Sequence, residues 1–500
     1  MEDASFLQHL SRQNFSPQDL SPDFLWDLLG RSPQLRGLNI GDDDWDVLKQ
    51  IGDSWQFSDV KTPPRVLLLT NEPGEFVRGL MLANRLAQRS PLWLFLGNPH
   101  WAIAEERQVI EQVQPHQIWS DRHNPWRNEV VCRNCDTVNG GEFLQDHRSY
   151  IGIGTGGSSG HIRFAMHTWE SLGSAVDGFR NYFDDVLDRG RVHSFCTLPL
   201  FHVSGLMQLL RCVWSGGVFQ WGRLPKPSTQ TFPSLAWQTA DDFTPPGSPE
   251  SPSSGFISLV PTQLARLLDH ERAIAWLGQF RVILLGGAPP WTGLLERSRQ
   301  MQLPIAPTYG MTETGAQVAT LKPTDFLDGK TGVGKILPHL ALEIADTGSI
   351  VVRGPSLAAG YWQGEVIAPA LTTGDLGTCD DHGYLSILGR QDDVIITGGE
   401  NVMPQEVEAA ILATGVATDV CVVGVPDQEW GQRVAAAWVP GAQETIPTLP
   451  QWRELLNRHL SRYKHPKWWS KVDHIPRNSR GKVNRGAIAQ FFLSQTQDGQ

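Results

Sequence analysis

A buried-type strand pattern that empties into a Gly/Ser turn, with an amphipathic helix behind it, constrains this chain more than any other feature. Tyr150-Ile-Gly-Ile153 supplies the strand pattern, and Thr155-Gly-Gly-Ser-Ser-Gly160 puts three glycines and three hydroxyls into six residues. Trp169, Leu172, Val176, Phe179 and Phe183 then recur at spacings of 3, 4, 3 and 4, one apolar stripe on a helix. Thr168 stands where an N-cap is needed. Strand, loop and helix in that order belong to α/β proteins. Further strand patterns at Arg65–Leu69, Leu92–Leu96, Phe256–Val260 and Arg281–Leu285 alternate with helical stretches, and several end in glycine or proline clusters.

Five hundred residues exceed one ordinary core, so two or three domains are expected. The best boundary lies at Gly389–Asp393, where the strand-like Tyr384–Leu388 gives way to a polar turn. Beyond it the patterns are helical over Glu406–Leu412, strand-like over Val420–Gly424 and Val434–Val439, and helical again over Trp452–Leu460. The expected division is a large domain over 1–390, a hinge at 391–392 and a small domain over 393–500. The breaker-rich stretch 241–255 reads as a flexible loop within the large domain. No internal repeat is visible.

Several function classes are excluded by composition. A net charge of −11 argues against a nucleic-acid-binding surface, although a local set of donors is enough for a small anion. No run approaches the roughly 20 apolar residues that cross a bilayer, and the N-terminus lacks the pattern of a secretory signal, so no membrane insertion and a cytoplasmic location are expected. Cys132 and Cys135 form the one Cys-x-x-Cys pair and lack a second pair or histidines at zinc-site spacing, so they read as ordinary thiols.

Six segments carry the chemistry. The loop Thr155, Gly157, Ser158, Ser159 and Gly160 offers N–H groups and hydroxyls to phosphate oxygens, with Arg163 adding a permanent charge. It lacks the Gly-Lys-Ser/Thr of a P-loop. Gly286-Gly-Ala288 ends a buried-type strand in the kind of crevice where α/β folds bind ligands. In Tyr309-Gly-Met-Thr-Glu-Thr-Gly315, which includes Gly310, Tyr309 offers a flat face to a base and Thr312 a hydroxyl to phosphate. Glu313 in the same segment is a hard oxygen ligand suited to Mg²⁺. Asp375, in Thr373-Gly-Asp-Leu-Gly377, suits two ribose hydroxyls. Gly389-Arg-Gln-Asp392 and the C-terminal Pro476-Arg-Asn-Ser-Arg-Gly-Lys-Val-Asn-Arg485 complete the series.

In that order the segments resemble the adenylate-forming enzymes, which include acyl- and aryl-CoA synthetases, luciferases and peptide-synthetase adenylation domains. The resemblance runs from about residue 150 to 490. It implies a large N-terminal domain of several mixed α/β subdomains and a small mobile C-terminal α+β domain. It also implies ATP, Mg²⁺ and coenzyme A as the small molecules bound. By resemblance the Thr155–Arg163 segment takes the pyrophosphate end of ATP, Gly286–Ala288 and Tyr309 hold adenine, and Asp375 with Arg390 holds ribose. Thr312 and Glu313 match the phosphate and magnesium positions, Asp392 the hinge, and Gly398 and Gly399 the pantetheine tunnel. Lys482 matches the lysine that serves adenylation and then leaves. One departure stands out: the usual Pro-Lys of the phosphate loop is Ile162-Arg163 here.

Gly156-Gly-Ser-Ser-Gly-His-Ile-Arg-Phe-Ala-Met-His-Thr-Trp169 and Ser258-Leu-Val-Pro-Thr-Gln-Leu264 are similar to the 2-succinylbenzoate–CoA ligases of menaquinone and phylloquinone synthesis. That likeness places His202 at the mouth of an acyl pocket and Ser258 and Gln263 on its wall. A substrate that keeps one carboxylate needs donors at the far end of its pocket, and Arg211, Arg266, Gln263 and Ser258 are the candidates. The alternative reading is another aryl- or acyl-CoA synthetase, or an enzyme that loads a carrier protein. Oligomeric state is left open, a homodimer included.

Overall fold

The computed structural model describes residues 35–36, 38, 63–121, 148–156, 162–224, 233, 255–441, 447–457, 459–477 and 483–497. Cys132, Cys135, Gly157, Ser158, Ser159, Gly160 and Lys482 lie outside them, as does the 241–255 stretch apart from Gly255.

Two largely parallel sheets organise the first 340 or so residues. One has the strand order Leu35–Arg36, Phe219–Trp221, His193–Cys196, Gly255–Leu259, Val282–Leu285, Ile305–Met311, Ala316–Thr320, Lys335–Ile336, its last two pairings antiparallel. The other runs Gly360–Tyr361, Ile162–His167, Tyr150–Gly156, Trp93–Leu96, Arg65–Leu69, Gln117–Ser120. The helices Trp169–Tyr182 and Val203–Ser215 lie between them, and their side chains share one core with Val66, Leu94 and Ile151 of one sheet and Phe256, Val282 and Leu284 of the other. Arg65–Leu69, Trp93–Leu96 and Val282–Leu285 are buried along their whole length, so beyond Arg65 their sequences are unbroken apolar runs without alternation. Thr168 caps the first of these helices as expected, its Oγ1 accepting from the Ser171 N–H at 3.1 Å.

The order strand, loop, helix needs correction. The strand runs on to Gly156 and returns antiparallel as Ile162–His167, with Thr155 opposite Arg163. The Gly/Ser stretch therefore joins a hairpin, and the helix begins only after the second strand. That strand is inconspicuous in the sequence because Arg163 and His167 interrupt its apolar run.

A four-stranded antiparallel sheet, Ala341–Ile344, Ser349–Arg353, Ala370–Cys379 and Leu385–Arg390, follows. After the short turn Gln391–Asp393 the chain enters a separate sheet: Glu400–Val402, Ile395–Thr397, Gly431–Pro440, Ala417–Asp427, with Trp468–Lys471 parallel beside Gly431–Pro440. The helices Pro404–Ala413 and Leu449–Leu456 cover one face and Arg485–Gln497 the other, giving this unit cores of its own. The helix expected at Trp452–Leu460 starts and stops earlier. Thr448 donates its N–H and its hydroxyl to Gln451 Oε1 and Pro450 opens the first turn, so the sequence signals favour a start at Leu449. No helix among the described residues is long and apolar enough to cross a membrane.

Trp452 anchors the small unit. Its ring stacks on Trp469 at 4.3 Å and meets Trp438 edge-on at 5.2 Å. Trp452→Ala is expected to destabilise this unit by about 3–5 kcal/mol through lost burial and the cavity left behind. Urea unfolding followed by circular dichroism checks it; a loss under about 1 kcal/mol would mean the stack is not an anchor.

Candidate active site

The strands Ile305–Met311 and Ala316–Thr320 are joined by one turn of 3₁₀ helix, Thr312–Thr314, closed by Gly315 at φ +67°. A side chain at Gly310 would lie 1.8 Å from the Ala316 carbonyl oxygen, so only glycine lets the backbones approach this closely. Three successive carbonyls of the turn accept from outside it. Thr312 takes the His167 Nε2 at 2.7 Å, Glu313 the Ala358 N–H at 2.8 Å and Thr314 the Ser356 hydroxyl at 2.9 Å.

His167 is fully buried. A carbonyl only accepts, so Nε2 carries the ring proton, and Nδ1 faces the Ser171 hydroxyl at 3.1 Å. Burial pushes its pKa down to about 4, so the ring is neutral at pH 7.

Around the turn, long-range contacts gather most of the expected residues. Tyr309 donates its hydroxyl to Asp375 Oδ2 at 2.7 Å, and burial together with the Asp375 charge keeps the phenol protonated. Asp375 pairs across its sheet with Arg390, whose Nη1 reaches Asp375 Oδ1 and whose Nη2 reaches Asp392 Oδ2, both at 3.3 Å. Tyr361 donates to Glu313 Oε1 at 2.7 Å, and Arg163 lies over the Tyr361 ring. Gly286 abuts Thr308, the residue before Tyr309, and Gly287 adopts φ +79° beside Val260. Two contact groups thus start from the segment 309–313, one joining Tyr309 to Asp375, Arg390 and Asp392 and the other joining Glu313, next to Thr312, to Tyr361 and Arg163, with Gly286–Ala288 bordering the first.

Other expected residues stand apart from it. Gly398 and Gly399 form a two-residue hairpin turn in the small unit, both with positive φ, and Gly398 donates to the Trp430 carbonyl at 2.9 Å. His202 is the N-cap residue of Val203–Ser215, its ring 4.5 Å from that of Phe201. Ser258 is half-buried in its strand, and the Gln263 side chain accepts from the Val260 N–H at 3.0 Å, which commits its oxygen to a helix start. Arg266 is exposed, unlike Arg211. Arg211 is 4% exposed, its guanidinium lies 4.0 Å from the centre of the Phe179 ring, and it has no carboxylate partner among the described residues. Burial lowers its pKa to about 9.

The donor set fits Mg²⁺ in the form nucleotide enzymes use it. Among the described residues no three His, Cys, Asp or Glu side chains converge into a closed metal cage. Glu313 is a single hard carboxylate, with Arg163 over the ring of the tyrosine that donates to it, and Mg²⁺ ordinarily takes one or two carboxylates plus phosphate oxygens.

Sequence reading missed His167 and Tyr361. The first had a usable signal, since a histidine closing the apolar run Phe164–Met166 must find a buried partner; Tyr361 had none. His167 has an acid consequence. Its folded pKa, about 4, lies below the ordinary 6.5, so its contribution to stability is complete above pH 6.5 and is lost as pH falls towards 4. The loss is at most roughly 3 kcal/mol. His167→Gln keeps a donor for Thr312 and cannot titrate. Urea midpoints between pH 7 and 4.5 should fall less steeply in the variant, and parallel curves would remove His167 as the acid-sensitive contact.

The chain matches two family models, AMP-binding enzyme over residues 143–362 and AMP-binding enzyme C-terminal domain over 406–482. It is 31% identical over 343 residues to a 2-succinylbenzoate–CoA ligase of Listeria monocytogenes, covering 67% of this chain and 68% of the other. With the 2-succinylbenzoate–CoA ligase of Lactococcus lactis it shares 30% over 391 residues, covering 75% and 76%. The fold is similar to o-succinylbenzoate CoA synthetase from Bacillus subtilis in complex with the acyl-adenylate intermediate OSB-AMP, with TM-score 0.72, 22% identity and coverage of 93% and 98%. ATP-bound MatB from Rhodopseudomonas palustris gives TM-score 0.72, 20% identity and coverage of 95% and 99%. This chain belongs to the AMP-binding enzymes, alongside the 2-succinylbenzoate–CoA ligases of these bacteria.

Proposed function

We propose that the protein joins 2-succinylbenzoate to coenzyme A with ATP, through an acyl-adenylate, as a step in menaquinone or phylloquinone synthesis. A carboxylate oxygen of the acid attacks the α-phosphorus, the bond to the bridging oxygen breaks and pyrophosphate leaves. The thiolate of coenzyme A then attacks the acyl carbon, the bond to AMP breaks and the thioester forms. All the reactants are soluble molecules, which suits a cytoplasmic enzyme.

Each set of residues has one task in this scheme. Gly286–Ala288 and Tyr309 flank the adenine, and Asp375 with Arg390 takes the ribose hydroxyls. The segment Thr155–Gly160 and Arg163 receive the β- and γ-phosphates, and the Thr312 hydroxyl bonds the α-phosphate. Glu313 would hold Mg²⁺, which supplies neutralisation of phosphate charge when bound. Lys482 steadies the charge that grows on the α-phosphate in the first half-reaction. The division at 390 and 393, with Asp392 as hinge, lets the small unit withdraw Lys482 and present Gly398 and Gly399 to the pantetheine arm. Ser258 and Gln263 wall the acyl pocket and His202 stands at its mouth.

The observation that carries the choice of acid is Arg211. A buried guanidinium without an anion is costly. Burial and then the Arg211 charge lower the His339 pKa, while His339 bonds Ser356, which in turn donates to Thr314 of the nucleotide turn. A second carboxylate on the substrate supplies the missing charge. Monocarboxylic acids leave Arg211 unpaired.

Pyrophosphate release with a panel of acids, ATP, Mg²⁺ and coenzyme A tests the reading. Preference for benzoate or a long fatty acid over 2-succinylbenzoate would overturn it. Arg211→Met is expected to cut the preference for 2-succinylbenzoate over its monocarboxylate analogue by about 10–100-fold, the worth of a charged hydrogen bond. Lys482→Ala should depress adenylate formation far more than thioester formation from supplied adenylate. Equal losses would end that assignment.

A further inference from the structure

Arg163 departs from the lysine its family ordinarily places in the phosphate loop, and its surroundings supply a physical reason. The strand Ile162–His167 pairs antiparallel with Gly360–Tyr361, and Tyr361 stands opposite Ala165. Arg163, two residues along, is therefore the diagonal same-face neighbour of Tyr361. Its guanidinium carbon lies 3.5 Å from the centre of the Tyr361 ring. A flat guanidinium can lie against that ring in a way an ammonium cannot. The other end of the same side chain reaches the opposite charge in the site, as the Tyr361 hydroxyl donates to Glu313 Oε1 at 2.7 Å. Burial and the Glu313 charge push the phenol pKa up, so it stays a donor at all working pH values.

The next turn of chain holds this arrangement. Tyr361 N–H donates to the Glu365 carbonyl at 3.0 Å and Gly364 N–H to the Tyr361 carbonyl at 2.9 Å, so Tyr361 and Glu365 sit on one tight turn. Glu365 pairs with Arg163 at 2.5 Å. Its side chain is 67% exposed, which makes it an anion that a polyphosphate can replace at little cost.

We propose that Tyr361 is the positioning residue of the magnesium–triphosphate site, its hydroxyl fixing the Glu313 carboxylate while its ring seats the Arg163 guanidinium. One side chain thereby sets the separation between the group that takes the metal and the group that takes the phosphates. The inference rests on the adenylation reading.

The test measures ATP affinity by calorimetry with no acid present, once with excess Mg²⁺ and once with EDTA. Melting temperature is recorded for each protein. Tyr361→Phe keeps the ring and removes the hydroxyl, so MgATP affinity should fall about tenfold while metal-free ATP affinity stays within twofold. Arg163→Lys keeps the charge and loses the stacking, so both affinities should fall in the same ratio. Thioester formation from supplied acyl-adenylate and coenzyme A should be unchanged in Tyr361→Phe. An unaltered magnesium dependence in that variant would overturn the proposal. So would equal losses in both half-reactions accompanied by a lowered melting temperature, the mark of a merely structural role. Wild-type protein that binds no ATP in either condition overturns the adenylation reading itself, a result distinct from the other two.

Discussion

The site depends on a turn whose backbone is held from outside at three successive carbonyls. The carbonyls of Thr312, Glu313 and Thr314 are each held by a donor from another part of the fold: His167 at the end of a strand, the Ala358 amide and the Ser356 hydroxyl. Gly315 and Thr314 hold it from within, the threonine hydroxyl lying 3.1 Å from the Met311 carbonyl and 2.9 Å from that of Ala316. A short turn with this many external anchors presents Thr312 and Glu313 in fixed directions before any ligand arrives. Groups aimed in advance at developing charge need no reorganisation during reaction, and that preorganisation is the larger part of electrostatic catalysis. The neutrality of His167 belongs to the same design, because a charged ring at full burial would oppose folding.

The candidate cations fall into two kinds. Arg163 and Arg390 are partly exposed and paired with carboxylates, Glu365 for the first and Asp375 and Asp392 for the second. Exposed ion pairs contribute little to stability, so a nucleotide can exchange partners with them without threatening the fold. Arg211 is the opposite case, buried over Phe179 with no described carboxylate to match it. In the proposed reaction the first kind would serve a ligand that comes and goes in every cycle, and the second the retained carboxylate of the acid.

How much of this was legible in the sequence follows from how far apart the partners lie. Apolar runs gave the strands, and the stripe from Trp169 to Phe183 with Thr168 before it gave the helix and its cap, because both signals are local. The segment Tyr309–Gly315 and the strand end at Gly286 were legible for the same reason. What the sequence could not show is who meets whom. His167 and Thr312 are separated by 145 positions, Tyr309 and Asp375 by 66, Glu313 and Tyr361 by 48. Pairings of that range are set by sheet order and register, and no local pattern encodes them. The hairpin at Gly156–Ile162 failed for a related reason: glycine and serine mark a turn equally well before a strand or a helix, and Arg163 masks the strand that follows.

The terminal motif is anchored on both sides of Lys482. Arg477 holds the two carboxylate oxygens of Asp419 at 2.8 and 2.9 Å, and Arg485 grips Glu408, the Val422 carbonyl and Asp393. An antiparallel bridge between Arg477 and Val483, with the Asn484 N–H donating to the Pro476 carbonyl at 2.8 Å, closes the base of the intervening segment. Asp419 and Glu408 both belong to the small unit, one on its longest strand and the other on the helix beside it. Burial alone would lower the Arg485 pKa, but Glu408 and its neighbours raise it further still, so this anchor does not titrate. The described anchors on either side of Lys482 therefore both belong to the small unit. In the proposed reaction a route that brings the lysine to the Thr312–Gly315 turn and later takes it away would move the small unit with it, and among the described residues Asp393, next to Asp392, joins Arg485 to the inter-sheet turn.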